Sequence, residues 1–285
     1  VGSYPLGSSS IYNGIFVPAK RSFAHMNQPV GKHPEKNCAK VLYYLMLISV
    51  FFVVSSASVR YTGSDPGGAL LLAESIITRH TLTLDHYGDN VLQKAFGYKV
   101  HKKNGHYYYY FPIGTSLVSI PFVTLANTLG LQMLQNGAVI QIVIASFTAV
   151  FTLIFLIKLA RLFLGPYNSL FIAGAFWFGT SFASTCGTAL WSHNCATLFG
   201  LISIYLAVKA AKLDVLKYWS IISVCLFLAY LTRPTLALLA PCLLLFLFTH
   251  NKKFAIKSGV LLAFLLLSFT GFSILEFNQL LPDYY

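Results

Sequence analysis

Charged side chains are scarce in this chain, and its acidic ones are unevenly spread. Of the eight Asp and Glu residues, Asp65, Glu74, Asp85 and Asp89 fall between positions 60 and 137. A carboxylate can cap a helix, or it can take a proton from an attacking hydroxyl held within hydrogen-bond reach. Asp65 stands in "RYTGSDPGGALLLAES", behind Arg60 and ahead of Pro66, where a helix-start signature meets the end of an apolar run. The cap and the catalytic reading both fit it. Three further clusters carry polar side chains: "HKKNGHYYYYFPIGTS" with His106, "ALWSHN" with His193, and "LTRPT" with Arg233. Each has a plain alternative. Arg233 beside Pro234 suits an arginine snorkelling to an interface. The four tyrosines suit an aromatic belt better than ligand stacking. Lys102 and Lys103 could attract a phosphate, though a solvated basic pair is the commoner case.

The elements that must position these residues are membrane helices. Hydrophobic residues make up 56% of the 285 and charged ones only 10%, and several apolar runs approach the roughly 20 residues that cross a bilayer. The chain reads as an all-α polytopic membrane protein. Spans are expected at 41–57, 138–157, 169–185, 195–208, 218–231, 235–248 and 258–277, about seven in all. Residues 1–40 are polar and read as a disordered cytoplasmic tail, with 41–57 a signal anchor.

Segment 112–131 is apolar, and whether it crosses decides the sidedness of everything after it. If it lies along the surface, Lys32, Lys36, Lys40, Lys158, Arg161, Lys209, Lys212, Lys217, Lys252, Lys253 and Lys257 all share one face, which is then cytoplasmic. Asp65, His193 and Arg233 reach the opposite face by independent counting. Residues 60–137 become one long extracytoplasmic loop with two surface helices. The first is expected to be amphipathic, with Leu70, Ala73 and Ile77 on one face and Glu74 and Thr78 on another.

The order of "SDPGGALLLAESIITRHTLTLDHY", "GHYYYYFPIGTSLVSIPF", "ALWSHN" and "LTRPT" resembles the C-type (GT-C) membrane glycosyltransferases. The likeness is to bacterial relatives of protein O-mannosyltransferases and of lipid A aminoarabinose transferases, over roughly residues 55–235. The resemblance implies a GT-C-like module over 41–285 in a bacterial inner membrane; relatives are commonly longer, so a C-terminal truncation is an open expectation. It implies a polyprenyl-phosphate sugar donor, a glycan, lipid or protein acceptor, and no required cofactor. Asp65 would be the catalytic base, opening a helix in the first outer loop. Phe111, Pro112, Ile113 and Gly114 match the proline motif of the second surface helix. Arg60, Arg233 and His193 would meet the phosphate, Glu74 and Asp85 would orient sugar or helix, and His106 joins the substrate-binding set. Many relatives carry Glu directly after the aspartate; this chain has Pro66.

Two other readings compete with transfer: a transporter or lipid flippase gated by outer-face charges, and a noncatalytic subunit of a glycan-assembly complex. Neither a phosphate-binding loop nor a dinucleotide motif occurs. The net charge of +12 is read as topology and attraction to anionic membrane lipids, not as nucleic-acid binding. Cys38, Cys186, Cys195, Cys225 and Cys242 show no metal spacing.

Overall fold

The structure, a computed structural model, describes residues 35–57, 65–213 and 217–285. Helix α1 (Glu35–Ser55) begins within the stretch expected to be tail, and the rest of that tail lies outside the described residues. Then come α2 (Pro66–Arg79), the short α3 (Asp89–Val91), strands β1 (Val100–Lys103) and β2 (His106–Tyr109), and α4 (Gly114–Thr128). Helices α5 (Met133–Ala160), α6 (Pro166–Gly179), α7 (Phe182–Thr188), α8 (Ser192–Leu213), α9 (Trp219–Thr232), α10 (Leu239–His250) and α11 (Lys252–Phe277) complete the bundle.

Among the described residues, four helices are long and apolar enough to cross a membrane: Asn37–Ser55, Met133–Ala160, Ser192–Leu213 and Lys252–Phe277. Large apolar side chains such as Leu275, Phe171 and Phe264 stand exposed on the outside of the bundle, as expected where the surrounding solvent is lipid. The other expected spans form shorter helices. Segment 169–185 breaks at Thr180 and Ser181: Thr180 is extended, and its hydroxyl accepts from the Phe182 N–H at the start of α7. The start of the expected 235–248 span winds as a 3-10 turn, Pro234–Leu238, before α10.

Contacts along the bundle sort its charges by end. The Arg161 guanidinium lies over the Tyr43 ring at 5.5 Å, and Phe51 meets Phe147, so α1 and α5 run antiparallel. Lys212 donates to the Leu162 carbonyl, and Lys209 lies 5.2 Å from the ring of Tyr218, just before α9. The Ser223 hydroxyl donates to Ser258 O at 2.8 Å, which places the lysine-bearing start of α11 at the same end. At the far end, Phe277 meets Tyr108 of the hairpin, and Arg233 meets His193. The basic clusters and the polar motifs therefore occupy opposite ends.

The long loop is built differently from a pair of surface helices. In α2, every residue from Pro66 to Ala73 is buried, together with Ser75. The division between buried and exposed runs along the axis, not around it. The reason is composition: "PGGALLLA" has no polar face to offer, and a helix apolar all round is buried. Ser75 turns inward, donating to the Thr81 and Thr83 carbonyls at 3.1 and 2.6 Å. Helix α4, of 15 residues, reaches only about 22 Å against a hydrocarbon core of about 30 Å. It also buries Thr115, Ser116 and Ser119 inside the protein.

Between them lies an antiparallel hairpin, an element that the helical periodicity leaves out. Val100 pairs with Tyr109 and Lys103 with His106, and Asn104-Gly105 makes the turn with φ of 52° and 86°. Two positive φ values in succession suit Asn-Gly, the pair favoured where strand twist demands a type I′ turn.

Candidate active site

Asp65 holds the cap position of α2, ahead of Pro66 at the first helical position. Its side chain makes no capping bond. The carboxylate instead accepts from the hydroxyl of Ser192, 127 residues away, and the residue is only 8% exposed. The phenol of Tyr109 donates to the Asp65 backbone carbonyl, so the hairpin clamps the start of the helix. Gly68 makes that clamp possible. A Cβ there would lie 2.6 Å from the Tyr109 ring.

Ser192 is the first residue of α8, and His193 follows it. The His193 Nδ1 lies 3.3 Å from Arg233 Nη1. Arginine has only donors, so Nδ1 accepts and the neutral ring carries its proton on Nε2. That Nε2 is buried without a hydrogen-bond partner among the described residues. Trp191 stacks on the imidazole, with centroids 5.8 Å apart and planes 17° apart. Asn194 Nδ2 donates to the Ala189 carbonyl at 3.2 Å, holding the "ALWSHN" corner closed.

Arg233 follows the last turn of α9 in extended backbone, φ −152°, as the residue before a proline tends to be. The first residue of α4 seats it from below. A Cβ on Gly114 would lie 2.6 Å from Leu231 O, and closer still to Leu231 C and Thr232 N. The "FPIG" motif is thus the platform on which "LTRPT" rests. Tyr285 ties the two together: its hydroxyl donates to Leu231 O at 2.6 Å and accepts from the Ile113 N–H at 3.2 Å. Tyr284 packs on Phe111, with centroids 5.5 Å apart. Burial raises its phenol pKa, and the Asp65 carboxylate raises it further while Arg233 opposes. One phenol therefore senses both charges.

The other sequence candidates sit elsewhere or serve the fold. Glu74, nine residues along α2 from Asp65, accepts from the Tyr87 hydroxyl at 2.5 Å. Asp85 accepts from the Tyr107 N–H at 2.7 Å and pairs with His106 Nδ1 at 2.6 Å, which anchors the hairpin. Partial burial pushes the Asp85 pKa up, but the Tyr107 N–H and His106 outweigh it and leave it lowered. No described contact joins Glu74, Asp85 or His106 to the Asp65–Arg233 group. Arg60 lies outside the described residues. Lys102 pairs with Asp89 at 3.6 Å, and Lys103 with Asp283 at 3.7 Å.

The tyrosine run is no interfacial belt. Tyr107, Tyr108 and Tyr109 are buried in the protein and only Tyr110 is exposed; the strand's alternation turns Tyr109 onto Gly68 of α2 and Tyr108 the other way, onto His101 and Phe277. Sequence reasoning missed Ser192, Tyr109, Tyr284 and Tyr285. Ser192 lay within a motif singled out for its histidine, whereas nothing local marks the two terminal tyrosines. Among the described residues no three His, Cys, Asp or Glu side chains gather to hold a metal. The arrangement offers a buried carboxylate, an arginine fork and a histidine N–H, which suits proton removal beside anion binding. No family model, curated protein or solved structure matches this chain.

Proposed function

We propose that this chain is a membrane glycosyltransferase of the C type. It moves a sugar from a polyprenyl-phosphate donor to an acceptor hydroxyl at the extracytoplasmic face of a bacterial inner membrane. The observation that carries this reading is the line Asp65–Ser192–His193–Arg233, in which a buried carboxylate and a cation from distant helices converge at one end of the bundle. The basic clusters at the other end orient that end to the cytoplasm.

In the reaction the acceptor oxygen attacks the anomeric carbon while the bond from that carbon to the phosphate oxygen breaks. The electron pair leaves with polyprenyl phosphate, and the acceptor proton passes to Asp65. A single displacement inverts the anomeric configuration. Arg233 takes the phosphate oxygens, and His193 Nε2–H supplies a further donor where charge develops. Ser192 holds the carboxylate in one orientation, so position supplies part of the rate. Beyond Arg233, a cavity of about 440 Å³ lined by Leu226, Tyr230, Leu236, Leu262 and Phe269 suits the apolar tail of such a donor. The acceptor's chemistry, whether glycan, lipid or protein, follows from product analysis.

The experiment incubates purified protein with labelled polyprenyl-phosphate sugar and candidate acceptors, wild type against Asp65→Asn. Transfer is expected in the first and a loss of roughly 100-fold or more in the second. Retained transfer by a folded Asp65→Asn protein removes Asp65 as base. Movement of lipid across proteoliposomes without any bond formed supports a flippase instead.

A further inference from the structure

Segment 278–285 follows α11, turns at Asn278 with φ of 53°, and runs across the hairpin and the end of α9. It is fastened on both sides of Tyr284. Asp283 pairs with His101 Nε2 at 3.2 Å and with Lys103 at 3.7 Å. The Tyr285 hydroxyl bridges Leu231 O and the Ile113 N–H, and its ring packs on Phe269 and Tyr230 with centroids 5.1 and 5.5 Å apart. Tyr284 is therefore held in place by both of its neighbours.

Packing brings Tyr284 to the candidate site from two directions. On one side its ring meets Phe111 at 5.5 Å, Phe111 meets Tyr109 at 5.9 Å, and the Tyr109 phenol donates to the Asp65 carbonyl. On the other, Tyr285 is bonded to Leu231, two residues before Arg233. Burial and then Asp65 raise the Tyr284 pKa against the pull of Arg233, so the phenol stays protonated at neutral pH. Ring contacts hold the side chain, yet its hydroxyl makes no hydrogen bond among the described residues. A fixed ring with an unused O–H suits contact with a ligand.

The cavity of about 440 Å³ identifies the group that lies there. Leu236, three residues past Arg233, and Leu281, three before Tyr284, both line it. A polyprenyl tail seated in it ends where Arg233 and Tyr284 approach, so the phosphate at its head falls between a guanidinium and a phenol O–H. We infer that the Tyr284 hydroxyl donates a hydrogen bond to the donor's phosphate, completing with Arg233 a two-residue grip on the departing group. The inference rests on the transfer reading for the identity of its ligand. A phenol O–H adds no charge to the site and still meets the negative charge that grows on the phosphate as the sugar leaves.

The test uses the full chain in nonionic detergent and compares wild type with Tyr284→Phe and Tyr98→Phe. Calorimetry measures binding of a short-chain polyprenyl phosphate, with the matching polyprenol as the uncharged comparison, and initial rates measure sugar transfer over donor concentration. Tyr284→Phe keeps the ring on Phe111 and loses only the oxygen, so its unfolding midpoint should match wild type. Binding of polyprenyl phosphate should weaken roughly tenfold and kcat/KM for the donor should fall at least as far, while polyprenol binding stays unchanged. Tyr98 is exposed with its ring 6.4 Å from Phe111, and loss of its hydroxyl should change neither readout. If Tyr284 only packs, Tyr284→Phe binds polyprenyl phosphate like wild type while Tyr284→Leu lowers the unfolding midpoint, and the inference is overturned. Lost transfer with polyprenyl phosphate binding intact overturns it too, because the hydroxyl then serves the sugar. If Tyr284→Phe weakens binding but wild type transfers no sugar, the transfer reading fails and the grip on phosphate stands. If wild type binds no polyprenyl phosphate, both fail.

Discussion

Gly114→Ala is the sharpest perturbation of the candidate site, because it touches no reacting group. The added Cβ would lie 2.6 Å from Leu231 O, against ordinary contact at 3.4–4 Å, and the neighbours are backbone atoms that cannot rotate away. Helices α4 and α9 must part by about 1 Å to admit it. Overpacking of this kind costs about 1–3 kcal/mol. The displacement falls on the turn that carries Arg233, and a misplacement of about 1 Å costs on the order of 100-fold in rate. Thermal unfolding in detergent and initial rates of sugar transfer report the two effects separately. Gly271→Ala is the comparison, since a Cβ there meets nothing within 4 Å; within α11 it should be neutral or stabilise by up to about 1 kcal/mol. If Gly114→Ala melts and transfers like wild type, the α4 platform does not position Arg233, and the geometric argument fails.

Further substitutions probe the line from Asp65 to Arg233. Ser192→Ala removes a buried donor from the Asp65 carboxylate, so stability should fall by about 1–3 kcal/mol in thermal or denaturant unfolding; transfer should fall with it, and Ser192→Thr should restore part of both. Arg233→Lys keeps the charge and loses the fork, so kcat/KM for the lipid donor should fall roughly tenfold or more, read by initial rates over donor concentration. Asp85 tests linkage. Its pKa is lowered by folding, so its contribution is present above the ordinary value of 3.8 and is lost as pH falls through the lower folded value. Unfolding midpoints measured from pH 5 downward should therefore show an acid-side loss that Asp85→Asn lacks, and identical profiles would refute the assignment.

Membrane character was legible from composition, because hydropathy is a sum over neighbours in the chain. So was the start of α2 at Pro66, since helix-start chemistry is local. The asymmetry of Lys and Arg also placed Asp65, His193 and Arg233 at one end before any contact was known. Other features were visible and outweighed: "NG" between Lys103 and His106 is a hairpin signal in a stretch otherwise scanned for helical periods. Leu70, Ala73 and Ile77 suggested a surface helix, yet the continuous apolar run ahead of Glu74 made α2 an inserted one.

What the chain order could not disclose is which side chains touch. The Asp65 carboxylate abandons its own helix terminus for Ser192, 127 residues on. Gly114 owes its small size to the backbone of Leu231 and Thr232, and Tyr284 senses Asp65 and Arg233 together. Helix propensity and hydropathy act over a turn or a span, so one strand of text records them. Contacts between helices depend on how several such elements pack at once, and only the folded bundle decides them.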